Sequence, residues 1–533
     1  MPGETAAPGT ATGKTGTPTA QTAGSSFNFT VNAVDAYWNI VSSATPTAVI
    51  TSSDALATLP SSAALASGTR QFALTFKTAG NQTVTATDQA ATLTANTGSS
   101  TVVTAGAATK YLVTSSSSSP VAGSTVTISA QLADANNNPV STAGQTVTWT
   151  KSDANGSFAT ATSTTNASGI ATIVFTTHTV AGTATTVTAT TSSITGTSGT
   201  ITTATSAADA TASTLTPTSA SIVADGSTTQ VLTLTAKDGS GNNIGSGGAT
   251  VTITKSSGTG TIGSVTDVGN GTYTATVTSP TATGSGVFVA TLGGAQVKSG
   301  TGSQTQSTIT YTPGAATKYI VTSSSSSPVA GATVTISAQL ADANNNPVST
   351  SGQTVTWTKS DANGSFATAT STTNASGIAT VVFTTHTVSG TATTVTATTS
   401  AISGTSASIT TVVGTASKYI VTSSSSSPVA GATVTISAQL ADANDNPVAT
   451  SGQTVTWTKS NANGSFASAT STTNGSGIAT VVFTTHTVVA TATTVTATTS
   501  AISGTSASIT TVAGTASKYI VTSSSSSPVA GAT

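Results

Sequence analysis

An all-β fold is predicted for this chain: two-sheet sandwiches joined in tandem into an extended array. Three observations predict it. Apolar residues alternate with Thr, Ser and Gln at a period of two, charged helix formers are almost absent, and one block recurs along the chain.

The alternation is clearest between residues 314 and 413. Val334, Ile336, Ala338 and Leu340 are separated by Thr, Ser and Gln, and Val355 with Trp357 and Ala379 with Val381 and Phe383 follow the same rule. A period of two gives a strand one buried and one solvated face. Turn signals (DANNNP, DANG, NASG, VSG) break these runs at short spacing. Many short strands with no helix between them imply two packed sheets.

Composition supports strands and excludes several functions. Only 5% of the 533 residues are charged, and Glu occurs once, at Glu4, so an amphipathic helix has little from which to build a polar face. Thr and Val, which are β-branched, suit a pleated surface. A net charge of -1 gives no field to draw in nucleic acid or an anionic membrane. With no cysteine, disulfides and thiolate chemistry are ruled out. The opening MPGETAAPGTATGK has no apolar run and is no signal peptide, and no stretch approaches the ~20 apolar residues of a membrane span.

Repetition sets the organisation. Tyr319, Tyr419 and Tyr519 lie 100 residues apart in near-identical blocks, and Tyr111 precedes Tyr319 by 208, which is one block plus an inserted domain. The expected division is a remnant of a preceding segment at 1–8, a divergent domain at 9–105 and a second at 106–205. A third follows at 206–313, then two more at 314–413 and 414–513, and a truncated sixth at 514–533. The last 20 residues are identical to 414–433 and are too few to bury a core, so a fragment of a longer protein is expected.

All five blocks carry Asp-x-x-x-Asn before an aliphatic residue: Asp35/Asn39, Asp134/Asn138, Asp238/Asn242, Asp342/Asn346 and Asp442/Asn446. About ten residues later each has one large apolar residue, namely Ile50, Trp149, Ile253, Trp357 or Trp457. Linkers are short: only TTVVGTASK separates Ile409 from Tyr419, so little hinge motion is expected. Strands of about ten residues at ~3.3 Å each give roughly 35 Å per domain and on the order of 170 Å for five.

Segment 221–292, with SIVADGSTTQVLTLTAKDGSGNNI, GATVTITKSSGTGTI and DVGNGTYTATVTSP, resembles the group 1 bacterial Ig-like domains of invasin and intimin. The repeats resemble the same group through TVTISAQLADANNNPVS, TVTWTKSDANGSFA and NASGIATVVFTT, and the first domain through FNFTVNAVDAYWNIV and KTAGNQTVTATD. The resemblance implies tandem Ig-like modules serving as rod segments of a bacterial surface adhesin. In that family binding sits in a terminal domain, so a receptor or glycan is expected to be bound by domains outside this chain. The array is expected to be monomeric and no enzyme, the alternatives being a module that binds glycan or host protein directly and a spacer array within a secreted multidomain enzyme.

Candidate sites are few. Asp342, Asn344 and Asn346, and the more acidic Asp442, Asp445 and Asn446, offer hard oxygens of the kind calcium takes. Most copies have one carboxylate and no bidentate Glu, so a hairpin-closing role is expected and no cofactor is assigned. Trp149, Trp357 and Trp457 share a slot with Ile50 and Ile253, which asks for apolar volume rather than a sugar-stacking face. Tyr37 and Trp38 lie inside the motif, where other copies have small or polar residues; they are the candidate contacts for a glycan or neighbouring domain, with a packed loop as the expected role. His178, His386 and His486 occur singly, which suits neither a metal site nor a triad. The SSSSSP runs are expected to be flexible loops by composition, and Asn363-Gly-Ser365 and Asn374-Ala-Ser376 ordinary turns.

Overall fold

The alternating segments form strands in the computed structural model, which describes residues 1–524, 526, 527 and 529–531. In the block 314–413, strand Thr333–Ala341 pairs antiparallel with Lys318–Ser323 on one side and Ile378–Thr384 on the other. The facing sheet is built on Thr354–Lys359, flanked by Val395–Thr399 and Thr370–Thr372. Ile402–Thr405 completes it. One parallel pair, Lys318 with Ser403, joins the two sheets along an edge. In 414–513 the same strands form two separate four-stranded sheets.

The interior follows from the pleat. Val334, Ile336, Ala338 and Leu340 point inward from one sheet with Ala379, Val381 and Phe383, and meet Val355, Trp357, Val395 and Ala397 from the other. The Thr and Ser between them cover the outside. Equivalent cores occur in each of the other blocks. The slot residues Ile50, Trp149, Ile253, Trp357 and Trp457 are all buried, and the Trp357 indole N–H donates to Ser371 Oγ at 2.9 Å.

Two expectations change. The division after residue 8 falls inside a hairpin, Glu4–Ala6 with Lys14–Gly16, which Lys14 and Glu4 tie to Ser99 of the first sandwich. The serine runs at 115–119, 323–327 and 423–427 are held rather than loose. Ser323 Oγ donates to the Ser325 carbonyl, Ser325 Oγ accepts from the Ser327 N–H, and Ser324 Oγ accepts from the Thr335 N–H. Short hydroxyl side chains bond nearby backbone in this way, which composition alone does not disclose. The expected sixth domain includes residues 525, 528, 532 and 533, which lie outside the described residues; Tyr519, at its start, is exposed.

Candidate functional site

The Asp-x-x-x-Asn motif lies where one sandwich meets the next. In the fourth sandwich the Asp342 Oδ1 accepts the backbone N–H groups of Asn344 and Asn346, each at 2.9 Å, which closes the hairpin. Its Oδ2 accepts from the Gly314 N–H and from the Asn346 side-chain amide, again at 2.9 Å. Burial alone would raise this carboxyl's pKa, but the bonds from Asn346, Gly314 and Asn344 outweigh it and hold the group below the usual carboxylate range.

Held by Asp342, the Asn346 carboxamide faces the preceding sandwich. Its Nδ2 donates to the Thr281 carbonyl at 2.8 Å and its Oδ1 accepts from the Thr283 N–H at 3.0 Å. The side chain thus pairs with backbone across the boundary as a peptide group would. The same two bonds recur at the other boundaries. Asn138 takes Lys77 and Ala79, Asn242 takes Thr179 and Ala181, and Asn446 takes Thr387 and Ser389. Two boundaries gain further bonds: Asn344 and Asn346 both donate to the Ala224 carbonyl, and Asn444 donates to the Ala330 carbonyl.

The linkers have almost no slack. Val412 is still bonded to its own sandwich through Pro328 and Ala330, while Gly414 is already bonded to Asp442 of the next. Only Val413 lies between. The corresponding single residues are Ala105, Thr205 and Pro313, each following a residue bonded to the earlier sandwich and preceding Gly106, Ser206 or Gly314.

The calcium candidates therefore separate. Asp342 and Asp442 spend their oxygens on N–H groups; Asn344, Asn346 and Asn446 reach into the preceding sandwich. Asp445 turns outward to Lys418 at 2.6 Å, an exposed pair worth at most about 1 kcal/mol. Among the described residues no three His, Cys, Asp or Glu side chains converge. Millimolar calcium is expected to leave the melting temperature unchanged, with or without EDTA; a rise of several degrees would show that the loop opens to take the ion.

Tyr37 and Trp38 part ways. Trp38 has φ 74°, the left-handed position held by Asn137, Gly241, Asn345 and Asp445 in the other blocks. Its ring lies so close to Gly13 that a Cβ there would come within 2.3 Å, so it packs against the N-terminal hairpin. Tyr37 is 73% exposed. An open pocket of about 840 Å³ is lined by Glu4 and Lys14 of the hairpin and by Phe29, Trp38, Leu65 and Asp88 of the sandwich. Asn39 bonds Asp35, as its counterparts bond their aspartates, and remains exposed.

His178 and His386 lie in loops that the next sandwich grips. His386 Nδ1 accepts the Val388 N–H at 2.7 Å, between the Thr387 and Ser389 groups that Asn446 binds. Sequence reasoning found the Asp, the Asn and the His, yet not the bonds across the boundary. The available signal was the pairing of a fixed Asn with a glycine 28 residues before the Asp, as in Gly106/Asp134, Gly314/Asp342 and Gly414/Asp442.

Residues 209–314 match the family model described as Invasin, domain 3. No curated protein matches the chain. Among solved structures, the Escherichia coli adhesin FdeC is 21% identical over 57% of this chain and 98% of its own, with a TM-score of 0.36. Invasin, described as a bacterial integrin-binding protein, is 23% identical over 74% of this chain and 78% of its own, with a TM-score of 0.33. InvD of Yersinia pseudotuberculosis is 21% identical over 56% and 96%, also at 0.33.

Proposed function

We propose that this chain, a tandem array of bacterial Ig-like domains of the invasin and intimin type, is the stalk of an adhesin-type protein on a bacterial surface, a spacer that fixes distance and direction between its two ends. The match of 209–314 to an invasin domain supports the adhesin-type setting. One observation carries the stalk role: four boundaries share the same one-residue linker and the same two-bond Asn clamp. A spacer has to resist bending at its joints, and a joint with a single free residue and a peptide-like pair across it has few ways to bend. On this reading receptor or glycan contact is not the array's task.

Replacing Asn138, Asn242, Asn346 and Asn446 together by Ala removes two cross-boundary bonds per joint, each worth about 0.5–1.5 kcal/mol. Small-angle scattering should show a long thin wild-type particle and a shorter, more heterogeneous variant. A scattering profile unchanged by the four substitutions would remove the clamp from the account.

A further inference from the structure

The docking loop of two joints is held by an imidazole. We propose that His178 and His386 make the second-to-third and fourth-to-fifth joints loosen on mild acidification, while the first-to-second and third-to-fourth joints, which lack a His, stay stiff. The inference rests on the stalk reading and adds a control to it.

The chemistry is one of donors and acceptors. A neutral imidazole has one nitrogen that accepts and one that donates. His386 Nδ1 accepts the Val388 N–H at 2.7 Å, and His178 Nδ1 accepts the Val180 N–H at 2.7 Å. The proton of the neutral ring is therefore on Nε2, which lies 2.8 Å from the side-chain amide of Asn363, or of Asn155. The amide atom placed there is Nδ2; because Nδ2 and Oδ1 exchange when the amide turns over, a protonated Nε2 selects the orientation in which Oδ1 accepts from it. A second proton can only go to Nδ1, where it would point at the Val388 N–H. Two donors then face each other and the loop must leave this conformation. Asn446 binds the carbonyl of Thr387 and the N–H of Ser389, on either side of Val388, so the clamp loses its fixed partner. Imidazole is the side chain whose charge changes between pH 5 and 8.

Charged groups of both signs lie near the imidazole. Asp361 and Lys359 of the same sandwich lie near His386, as Asp153 and Lys151 do near His178. Burial raises the Asp361 carboxyl, but the Asn363 backbone bond and the neighbouring imidazole hold it below its usual range, so it stays ionised at pH 5.5. The next sandwich contributes the neutral Asn444 and Asn446 at one joint and Asn242 at the other. The stiff joints use Lys77–Ala79, whose Lys77 and Thr78 N–H groups are held by Asp54, and Thr281–Thr283.

The chain has no cysteine, so introduced pairs label cleanly. Spin labels at Thr372→Cys and Thr472→Cys of the full chain span the fourth-to-fifth joint, and labels at Thr266→Cys and Thr372→Cys span the third-to-fourth. Double electron–electron resonance should give a distance distribution at least twice as wide at pH 5.5 as at pH 7.5 across the first pair, with no change across the second. His386→Asn should stay narrow at both values, because its Oδ1 can accept the N–H two residues on as Asp342 does from Asn344. His386→Ala should be wide at both. A wild-type width unchanged by pH, or a pH response surviving in His386→Asn, would overturn the proposal. Wide distributions across both joints at pH 7.5 would instead overturn the stalk reading beneath it.

Discussion

Trp357→Ala is expected to cost its sandwich about 3–5 kcal/mol, as truncating a buried aromatic residue does. The indole is 4% exposed. Its ring centroid lies 6.5 Å from that of Phe366, which lies 5.1 Å from Phe383, so three aromatic side chains link the two sheets. Without the indole, Phe366 and Phe383 face a void, and Ser371 Oγ loses the Nε1–H bond. No cysteine or metal cluster among the described residues backs up the core. The neighbouring block 414–513 is nearly identical and keeps Trp457, so it serves as an internal reference. Calorimetry of the variant should split one transition from the rest, lowered by more than about 10 °C. An unaltered thermogram would mean that the slot is not part of the core.

That prediction was available from the sequence because cores obey a local rule. Val334 to Leu340 alternate, and the Trp slot is Ile in two blocks; both facts ask for an apolar interior and both are found. The joints obey no local rule. Asp342 and Asn346 look the same in sequence whether the Asn side chain closes a turn or grips Thr281 and Thr283, since those partners lie more than sixty residues away. The reading as turn chemistry covered Asp342 Oδ1, whose bonds stay within the loop, and missed the bonds by which the Asn carboxamide leaves it for Thr281 and Thr283. The loop carrying Trp38 was partly illegible for a different reason. A packed role is expected there and the Trp38 ring is packed, but its partner was not legible: the left-handed backbone and the contact with Gly13 of the hairpin at 4–16 appear only in the structure. The serine runs show the reverse error, in which composition implied freedom that bonds between hydroxyls and nearby backbone remove.

Asp442→Ala should damage both a sandwich and a joint, and so differ from any change to Asn446. Asp442 Oδ1 accepts the N–H groups of Asn444 and Asn446 at 2.8 and 2.9 Å, and Oδ2 accepts from Gly414 at 2.9 Å and from the Asn446 amide at 3.0 Å. Removing the carboxylate leaves several largely enclosed donors unpaired. At roughly 1–3 kcal/mol for each donor left without an acceptor, a loss of about 3–5 kcal/mol is expected for the fifth sandwich. Its orientation against the fourth should also be lost, because Asn446 is no longer aimed. Asn446→Ala breaks the cross-boundary pair but leaves the hairpin closed, so it should move the joint and spare most of the melting temperature. Acidity separates the carboxylate from the imidazoles. Burial raises the Asp442 carboxyl, but the bonds from Gly414, Asn446 and Asn444 bring it below its usual value. A carboxyl with a depressed folded pKa gives its full stabilisation above the unfolded value of about 3.9 and loses it as pH falls through the lower folded value. The Asp442 contribution is therefore constant between pH 7.5 and 5.5, where the His-bearing joints respond, and fades only below about pH 4. Melting followed from pH 7 to pH 2 should show a steep acid limb for the fifth sandwich of the wild type and a flatter one for Asp442→Ala; equal melting of the two proteins at pH 7 would mean that the hairpin does not need its carboxylate.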